Sequence, residues 1–373
     1  MVRKLGIGGC ERDLTKVAIG LDRTRFEPHV ACFRSQGMRT EELRAAGIPV
    51  VELPVRRVAS PSTWSGAQAM ARYISRNGIR LVHCFDVPSD LFGVPVARAS
   101  GARAVASQFS HRALVTSPLN RALLRLTDRL ADAVVVNSEA VGWELETRYG
   151  VDRARIRLCY NGVDTRLFRP LEEPRPEALE KASLVIGSVC GLRPEKNLPL
   201  LVEAFAALRL GETVRLAIVG SGPMLAALVE RSRALGIEAQ CHFEPATQQV
   251  AEWMRAIDIF VLPSATESMS NALLEAMACG CCVVASRVGG TPEAVEDEVG
   301  GLLFEPGDVA GLAAQLERVV RDPGLRRRLA RAGMRRVHER FPLAAAVRRI
   351  EEVYASVLAP RNGRIVVPSL AGS

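Results

Sequence analysis

Short apolar runs alternate with helical patterns along nearly the whole chain, which predicts an α/β protein built on parallel sheets. Two further observations sharpen this into a pair of Rossmann-like, doubly wound domains. At 373 residues the chain is longer than one hydrophobic core normally serves. A charged, proline-rich stretch, 166–182, with Pro170, Pro174 and Pro176, divides it near the middle and reads as a linker.

The first domain is expected over 1–165. His29–Phe33, Val50–Leu53, Leu81–Cys84, Ala104–Ser107 and Ala133–Asn137 read as its strands. Glu11–Leu21, Arg39–Ala46, Trp64–Asn77 and Asn120–Leu130 read as helices between them. In this class an apolar strand precedes the first turn, yet only Met1–Lys4 stand before Leu5, two of them basic. A missing or stunted first strand is therefore expected, leaving a gap in the first sheet. The second domain, 183–342, repeats the pattern with strands at Leu184–Val189, Arg215–Val219, Gln240–Phe243, Ile257–Leu262, Cys282–Ala285 and Gly301–Phe304. A closing helix over 343–358 is expected to pack toward the first domain, and the tail 359–373 to be loosely held.

Composition narrows the function classes. Hydrophobic residues at 48% and charged residues at 24% describe a globular protein, and no uncharged apolar run approaches the roughly 20 residues that span a bilayer. The start, Met-Val-Arg-Lys-Leu-Gly, has no apolar signal core, and nine scattered cysteines form no CxxC pair. Both point to reduced thiols in a cytoplasmic protein. A net charge of +8 suits an anionic ligand or membrane surface. Nucleic acid is disfavoured, because aromatics are 5% and none interleaves with basic residues in a recognised motif. Arg121, Arg125 and Arg129 repeat every four residues beside Leu123, Leu124, Leu126 and Leu130. That spacing gives a basic amphipathic helix, either an ordinary surface helix with its leucines in the core or a contact for an anionic bilayer.

The most informative stretch is Glu267-Ser-Met-Ser-Asn-Ala-Leu-Leu-Glu275. A buried strand, Asp258–Pro263, precedes it, and a helix over Ala272–Cys279 follows, stopped by Gly280. Ser270 is placed to cap that helix, with Asn271 beside it, so free N–H groups of the first turn point back toward Glu267. A strand, a short loop and a helix N-terminus make an anion site, and two carboxylates add partners for hydroxyls. A nucleotide diphosphate sugar carries both. The plainer reading is a βα unit with solvent-facing glutamates.

Other turns fit the same ligand. Gly8 and Gly9 precede a helix, where backbone approaches a phosphate or sugar with no Cβ in the way. Arg193 and Lys196 lie between a strand and the next helix, where Arg offers a bidentate fork and Lys a point charge to a diphosphate. Gly220 and Gly222 permit close approach of a nucleotide or simply make a tight turn. Ser138 stands at a strand end, either to meet phosphate or to cap the next helix.

With these motifs in order, the chain resembles a retaining glycosyltransferase of the GT-B fold, in glycosyltransferase family 4 (group 1). Gly6–Glu11 resembles the acceptor-side glycine loop, Asn161–Pro170 the segment ending the first domain, and Leu192–Asn197 the basic diphosphate loop. Val219–Pro223 resembles the glycine turn beside the nucleotide, Glu267…Glu275 the paired-glutamate signature, and Gly289–Glu293 the following loop. The resemblance implies donor contacts from Glu275, Gly220, Gly222, Ser270, Asn271, Gly8 and Gly9. It implies catalytic roles for Arg193, Lys196, Glu267 and His111, the last matching the family's active-site histidine. One departure stands out: aligned on Pro194-Glu-Lys196, Gly191 falls where the family places its diphosphate arginine. Arg193 comes two residues later, on the same face of an extended segment, and is expected to take over that contact.

The implied reaction moves a hexosyl unit from a nucleotide diphosphate sugar to a hydroxyl of a glycan, lipid-linked or small-molecule acceptor. Configuration is retained, Glu267 is not a nucleophile, and neither a metal nor another cofactor is implied, since no Asp-x-Asp occurs. A sugar-nucleotide epimerase and a non-catalytic nucleotide-sugar binder remain as alternatives. Donor consumption that requires an added acceptor separates them.

Overall fold

The computed structural model describes residues 1–6, 8–56, 61–109, 112 and 117–360. The first domain begins β1 (Val2–Lys4), α1 (Gly9–Gly20), β2 (Val30–Arg34), α2 (Met38–Ala45), β3 (Val50–Glu52) and α3 (Ser62–Arg76). It continues β4 (Leu81–Cys84), α4 (Val87–Ala99), β5 (Arg103–Gln108), α5 (Pro118–Leu130), β6 (Ala133–Val136), α6 (Glu139–Tyr149) and β7 (Ile156–Leu158). The second domain opens with β8 (Leu184–Val189), α7 (Leu198–Ala207), β9 (Val214–Val219), α8 (Leu225–Ala234), β10 (Cys241–Glu244) and α9 (Val250–Ala256). Then come β11 (Ile259–Leu262), α10 (Asn271–Ala278), β12 (Cys282–Ser286), α11 (Thr291–Ala294), β13 (Leu302–Phe304), α12 (Val309–Arg321) and α13 (Pro323–Arg340). The last helix is α14 (Leu343–Leu358).

All strand pairs are parallel among the described residues. The second sheet runs β10-β9-β8-β11-β12-β13. Counted within the domain this is 3-2-1-4-5-6, whose direction reverses between β8 and β11. Apart from the half-buried edge strand β10, its strands are largely buried on both faces. On β8, Leu184 and Ile186 join one core cluster while Val185 and Val189 join the other, as period-2 alternation requires.

The first domain has the same winding, divided into β3-β2-β1 and β4-β5-β6-β7. β1 is three residues long. Between β1 and β4 the Met1 ammonium donates to His83 O (2.6 Å) and Phe85 N donates to Met1 O (2.9 Å). Burial pulls the pKa of that ammonium down. The sheet thus reverses direction between β1 and β4.

The chain crosses between the domains twice, and the crossings lie side by side. Val163 and Pro342 form a parallel bridge, with Val163 N donating to Phe341 O and Leu343 N donating to Val163 O, both 2.9 Å. After the second crossing α14 enters the first domain, where Val347, Ile350, Val353 and Tyr354 pack with Val105, Ala133 and Val135. The Tyr354 hydroxyl is 2.7 Å from His83 Nδ1, and His83 Nε2 is 2.6 Å from Ser107 Oγ. Burial holds the His83 pKa well below the usual histidine range, and the nearby terminal ammonium adds to the effect. No helix of the described residues is long and apolar enough to cross a membrane.

Candidate active site

In a doubly wound sheet, ligands bind beyond the strand C-terminal ends where the winding reverses. In the second domain this is the space between the loop after β8 and the loop after β11. The first carries Arg193 and Lys196, the second Glu267. Ala265 N donates to Glu195 O (2.9 Å), which ties the loops together, and Lys196 Nζ bonds Glu267 Oε2. Ser264 Oγ donates to the same oxygen at 3.3 Å. Burial of the ammonium is the largest influence on Lys196 and lowers its pKa. The charge and hydrogen bond of Glu267 outweigh it, so the net displacement is upward and the lysine stays cationic.

Arg193 lies nearer solvent, its side chain 59% exposed, 3.7 Å from Glu195 Oε1. Its guanidinium folds back over Gly191: a Cβ added at Gly191 would sit 3.5 Å from Arg193 Nε. The arginine thus lies alongside the bare face of the glycine, at a distance that would leave a methyl in ordinary contact.

Gly220 and Gly222 meet protein backbone. A Cβ on Gly220, whose φ is +146°, would lie 1.9 Å from Cys190 O, and one on Gly222 would lie 2.3 Å from Leu192 O. Cys190 N donates to Val219 O and Leu192 N to Ser221 O, both 3.0 Å. These glycines let the turn after β9 buttress the loop that carries Arg193 and Lys196. The two glycines of the first domain differ from each other. At Gly8 the Cβ position is filled by the Glu11 carboxylate, whereas around Gly9 nothing lies within 4 Å.

Ser270 caps α10, accepting from Leu273 N (3.3 Å), and Gly280 follows the helix at φ +82°. Glu275 is fully buried on α10 and faces α1 across the cleft. Arg12 NH1 is 3.0 Å from Glu275 Oε2 and Lys16 Nζ is 3.5 Å from Oε1. Asn271 Nδ2 donates to Asp13 Oδ1 (2.9 Å). Burial pushes the Asp13 carboxyl above its usual range against the pull of Lys16 and Arg12. A carboxylate this buried needs cations to offset its desolvation, and the opposite domain supplies them. Arg12 Nε and Asn271 Oδ1 are buried with no hydrogen-bond partner, so the α1–α10 seam retains polar capacity.

Arg12, Asp13 and Lys16 were not legible as site residues from the sequence, although cations four residues apart on the helix after a glycine turn are a usable signal. Two motif residues also gain roles. Asn161 Nδ2 donates to Met269 O (3.0 Å), tying the end of the first domain to the loop before α10. The Glu293 carboxylate accepts from Glu139 N (2.8 Å) and Ala140 N (3.0 Å), so it occupies the N-terminus of α6. Ser138 caps that helix, accepting from Val141 N at 3.2 Å. His111 lies outside the described residues.

A hollow of about 30 Å³, one water in size, lies in the first domain beside α14, among Asp13, Lys16, Phe85, Phe109, Tyr160 and Asn161. A larger one, about 470 Å³, opens beside Ile79, Arg80, Ser100 and Leu358, at the N-terminal ends of β4 and β5 and away from this chemistry. Among the described residues no three His, Cys, Asp or Glu side chains gather in a metal-binding group.

Two doubly wound domains, meeting with their switch points toward a common cleft, define the class: this is the GT-B architecture. Anabaena Alr3699/HepE, solved in complex with UDP and glucose, has the same fold. It is 22% identical, with a TM-score of 0.83 over 95% of this chain and 100% of that one. The sequence names the family. Residues 7–167 match the model "Glycosyltransferase Family 4" and residues 171–336 match "Glycosyl transferases group 1". The chain belongs to this glycosyltransferase family. It is 31% identical to N-acetyl-alpha-D-glucosaminyl L-malate synthase of Bacillus anthracis over 56% of each chain. It is 28% identical to D-inositol 3-phosphate glycosyltransferase of Salinispora tropica over 93% of this chain and 72% of that one. The chain spans about half the length of most curated relatives it matches.

Proposed function

We propose that the chain transfers a hexosyl unit from a nucleotide diphosphate sugar to an acceptor hydroxyl with retention of configuration. The observation that carries this is the meeting of Lys196 and Glu267 at the β8/β11 switch point. Cation and carboxylate there suit a diphosphate and a sugar hydroxyl respectively. Cleavage of the bond from the anomeric carbon to the diphosphate builds negative charge on the leaving phosphate. Lys196 and Arg193 act where that charge grows, each worth on the order of 3 kcal/mol in the transition state. The acceptor oxygen bonds the anomeric carbon from the side the phosphate leaves, and its proton passes to that phosphate. Glu267, already neutralised by Lys196, serves as a hydroxyl acceptor and not as a nucleophile. Glu275 and the polar groups of α10 receive the ribose.

UDP, bound in the Anabaena structure, heads the donors to test. Relatives named for malate and inositol 3-phosphate give reason to include small hydroxyl acceptors beside glycans and lipid-linked ones. A thermal-shift panel of UDP-, GDP- and ADP-sugars tests the donor site, since a ligand at 100 times its Kd adds about 2.7 kcal/mol. Donor consumption must then depend on an added acceptor. Consumption without one would favour an epimerase, and binding without consumption a non-catalytic protein. We also propose that the reaction needs neither metal nor other cofactor. Loss of activity in EDTA, restored only by magnesium or manganese, would refute this.

A further inference from the structure

On the helical layer formed by α3, α4 and α5, the solvent-facing charges are all of one sign. The three helices carry Arg72, Arg76, Arg98, Arg121, Arg125 and Arg129, of which Arg98 pairs with Asp132 at 3.0 Å. Their only carboxylates, Asp90 and Asp128, are buried, and Asp128 accepts a bidentate pair from Arg112 (2.7 and 2.6 Å). Elsewhere on the surface, arginines face carboxylates, as in Arg231–Glu203, Arg318–Glu298 and Arg349–Glu352. Arg121, Arg125 and Arg129 form no ion pair among the described residues.

The same layer exposes large apolar side chains. On α5, Leu124, Thr127 and Asp128 form the buried stripe that fixes the helix to the domain. Leu119 is 63% exposed, Leu126 50% and Leu123 39%. At 100° per residue, Leu119, Leu123 and Leu126 share one edge of the outward half, and Arg121, Arg125 and Arg129 share the other. Of the two readings of this helix, the one with its leucines in the core holds for Leu124 and, in part, for Leu130. Trp64, in the first turn of α3, is 73% exposed. Both helices follow strand C-terminal ends of one parallel sheet, so their first turns lie at the end of the layer where the cleft opens.

We propose that this face docks on an anionic phospholipid bilayer, with Leu119, Leu123, Leu126 and Trp64 entering the headgroup boundary and the three α5 arginines on anionic headgroups. Apolar area and cations on one helix are the two contributions to interfacial binding, and neither has a use in the monomer. Docking there holds the cleft mouth at the membrane surface, where an acceptor with a lipid tail would reach it. The inference stands apart from the donor chemistry, so its test uses no sugar nucleotide.

The full chain is floated with phosphatidylcholine vesicles, with and without phosphatidylglycerol. Binding is expected only with phosphatidylglycerol and weakens as salt is raised. Replacing Arg121, Arg125 and Arg129 together by Gln should weaken it on the order of a hundredfold, at about fivefold per arginine. Replacing Leu119 and Leu126 together by Ser should also abolish flotation with little change in melting temperature, because these two side chains are at least half exposed. Should the Ser variant melt early, the Arg variant, whose replaced residues are all exposed, decides alone. Equal binding to both vesicle types, binding to neither, or wild-type flotation of the Arg variant overturns the proposal.

Discussion

Gly9 and Gly222 each stand in a turn between a strand and the next helix, one in each domain, yet substitution should separate them cleanly. A methyl on Gly222 falls 2.3 Å from Leu192 O and 2.7 Å from its carbonyl carbon, and neither can yield as a side chain would. The loop must move, and overpacking of this kind costs about 1–3 kcal/mol. At about 2–4 °C per kcal/mol for a domain of this size, Gly222→Ala should melt some 2–12 °C lower. Transfer should fall too, because the displaced backbone leads directly into Arg193 and Lys196. A methyl on Gly9 meets no atom within 4 Å, and as the first residue of α1 it slightly favours the helix. Gly9→Ala should therefore melt at or above the wild-type temperature. If the open space over Gly9 receives donor or acceptor, turnover falls at least tenfold, since a misplacement of about 1 Å can cost a hundredfold. Differential scanning fluorimetry beside initial rates at saturating donor reads both quantities. Wild-type melting of Gly222→Ala would refute the buttressing role, and normal turnover of Gly9→Ala would reduce the first loop to a plain turn.

Three other outcomes are expected. Lys196→Ala and Glu275→Ala should each lose transfer while circular dichroism stays native; near-normal turnover in either purified variant would sink the site assignment. Arg193→Ala should lose at least tenfold in rate, about 1.4 kcal/mol of transition-state stabilisation, whereas an arginine that merely pairs with Glu195 would leave catalysis unchanged. The buried His83 contributes to pH dependence. Its folded pKa lies below the unfolded value, so the unfolded chain binds the proton first and stability is lost as pH falls below about 6.5. Asp90, whose pKa burial raises, acts in the opposite sense and so must be held constant. The stability advantage of wild type over His83→Gln should shrink by about 1.4 kcal/mol per pH unit between 6.5 and 5 in urea titrations. A constant difference across that range would show that His83 titrates normally.

The central strands were legible because parallel, doubly covered strands read as bare apolar runs: Leu184–Val189 and Leu81–Cys84 have the expected limits. The α10 unit was legible from its cap and its terminal glycine. What was missed had weak local signals. α4 carries Pro88, Gly93 and Pro95, which read as interruptions, yet Asp86 and Ser89 form a capping box and Pro88 sits in the first turn, where no donor is lost. β7 is three residues long with Arg157 at its centre, too short for a pattern. At the site, Lys196, Glu267 and Glu275 were readable as candidates because each stands in a short motif next to a strand of one domain. Arg12 and Lys16 were not, because their partner Glu275 lies some 260 residues away, and a contact between domains leaves no periodicity.

The paired crossings at Val163 and Pro342 have a mechanical consequence. Two separate tethers would let one domain twist, slide or swing over the other. Joined by two hydrogen bonds, they behave as a flat strap. Sliding one strand along its neighbour would break both bonds, while folding across the strap leaves them whole. Such a strap favours opening about one axis, in the manner of a book's spine. An inserted residue at either crossing would change the direction in which the covers meet, and not only the ease with which they do so.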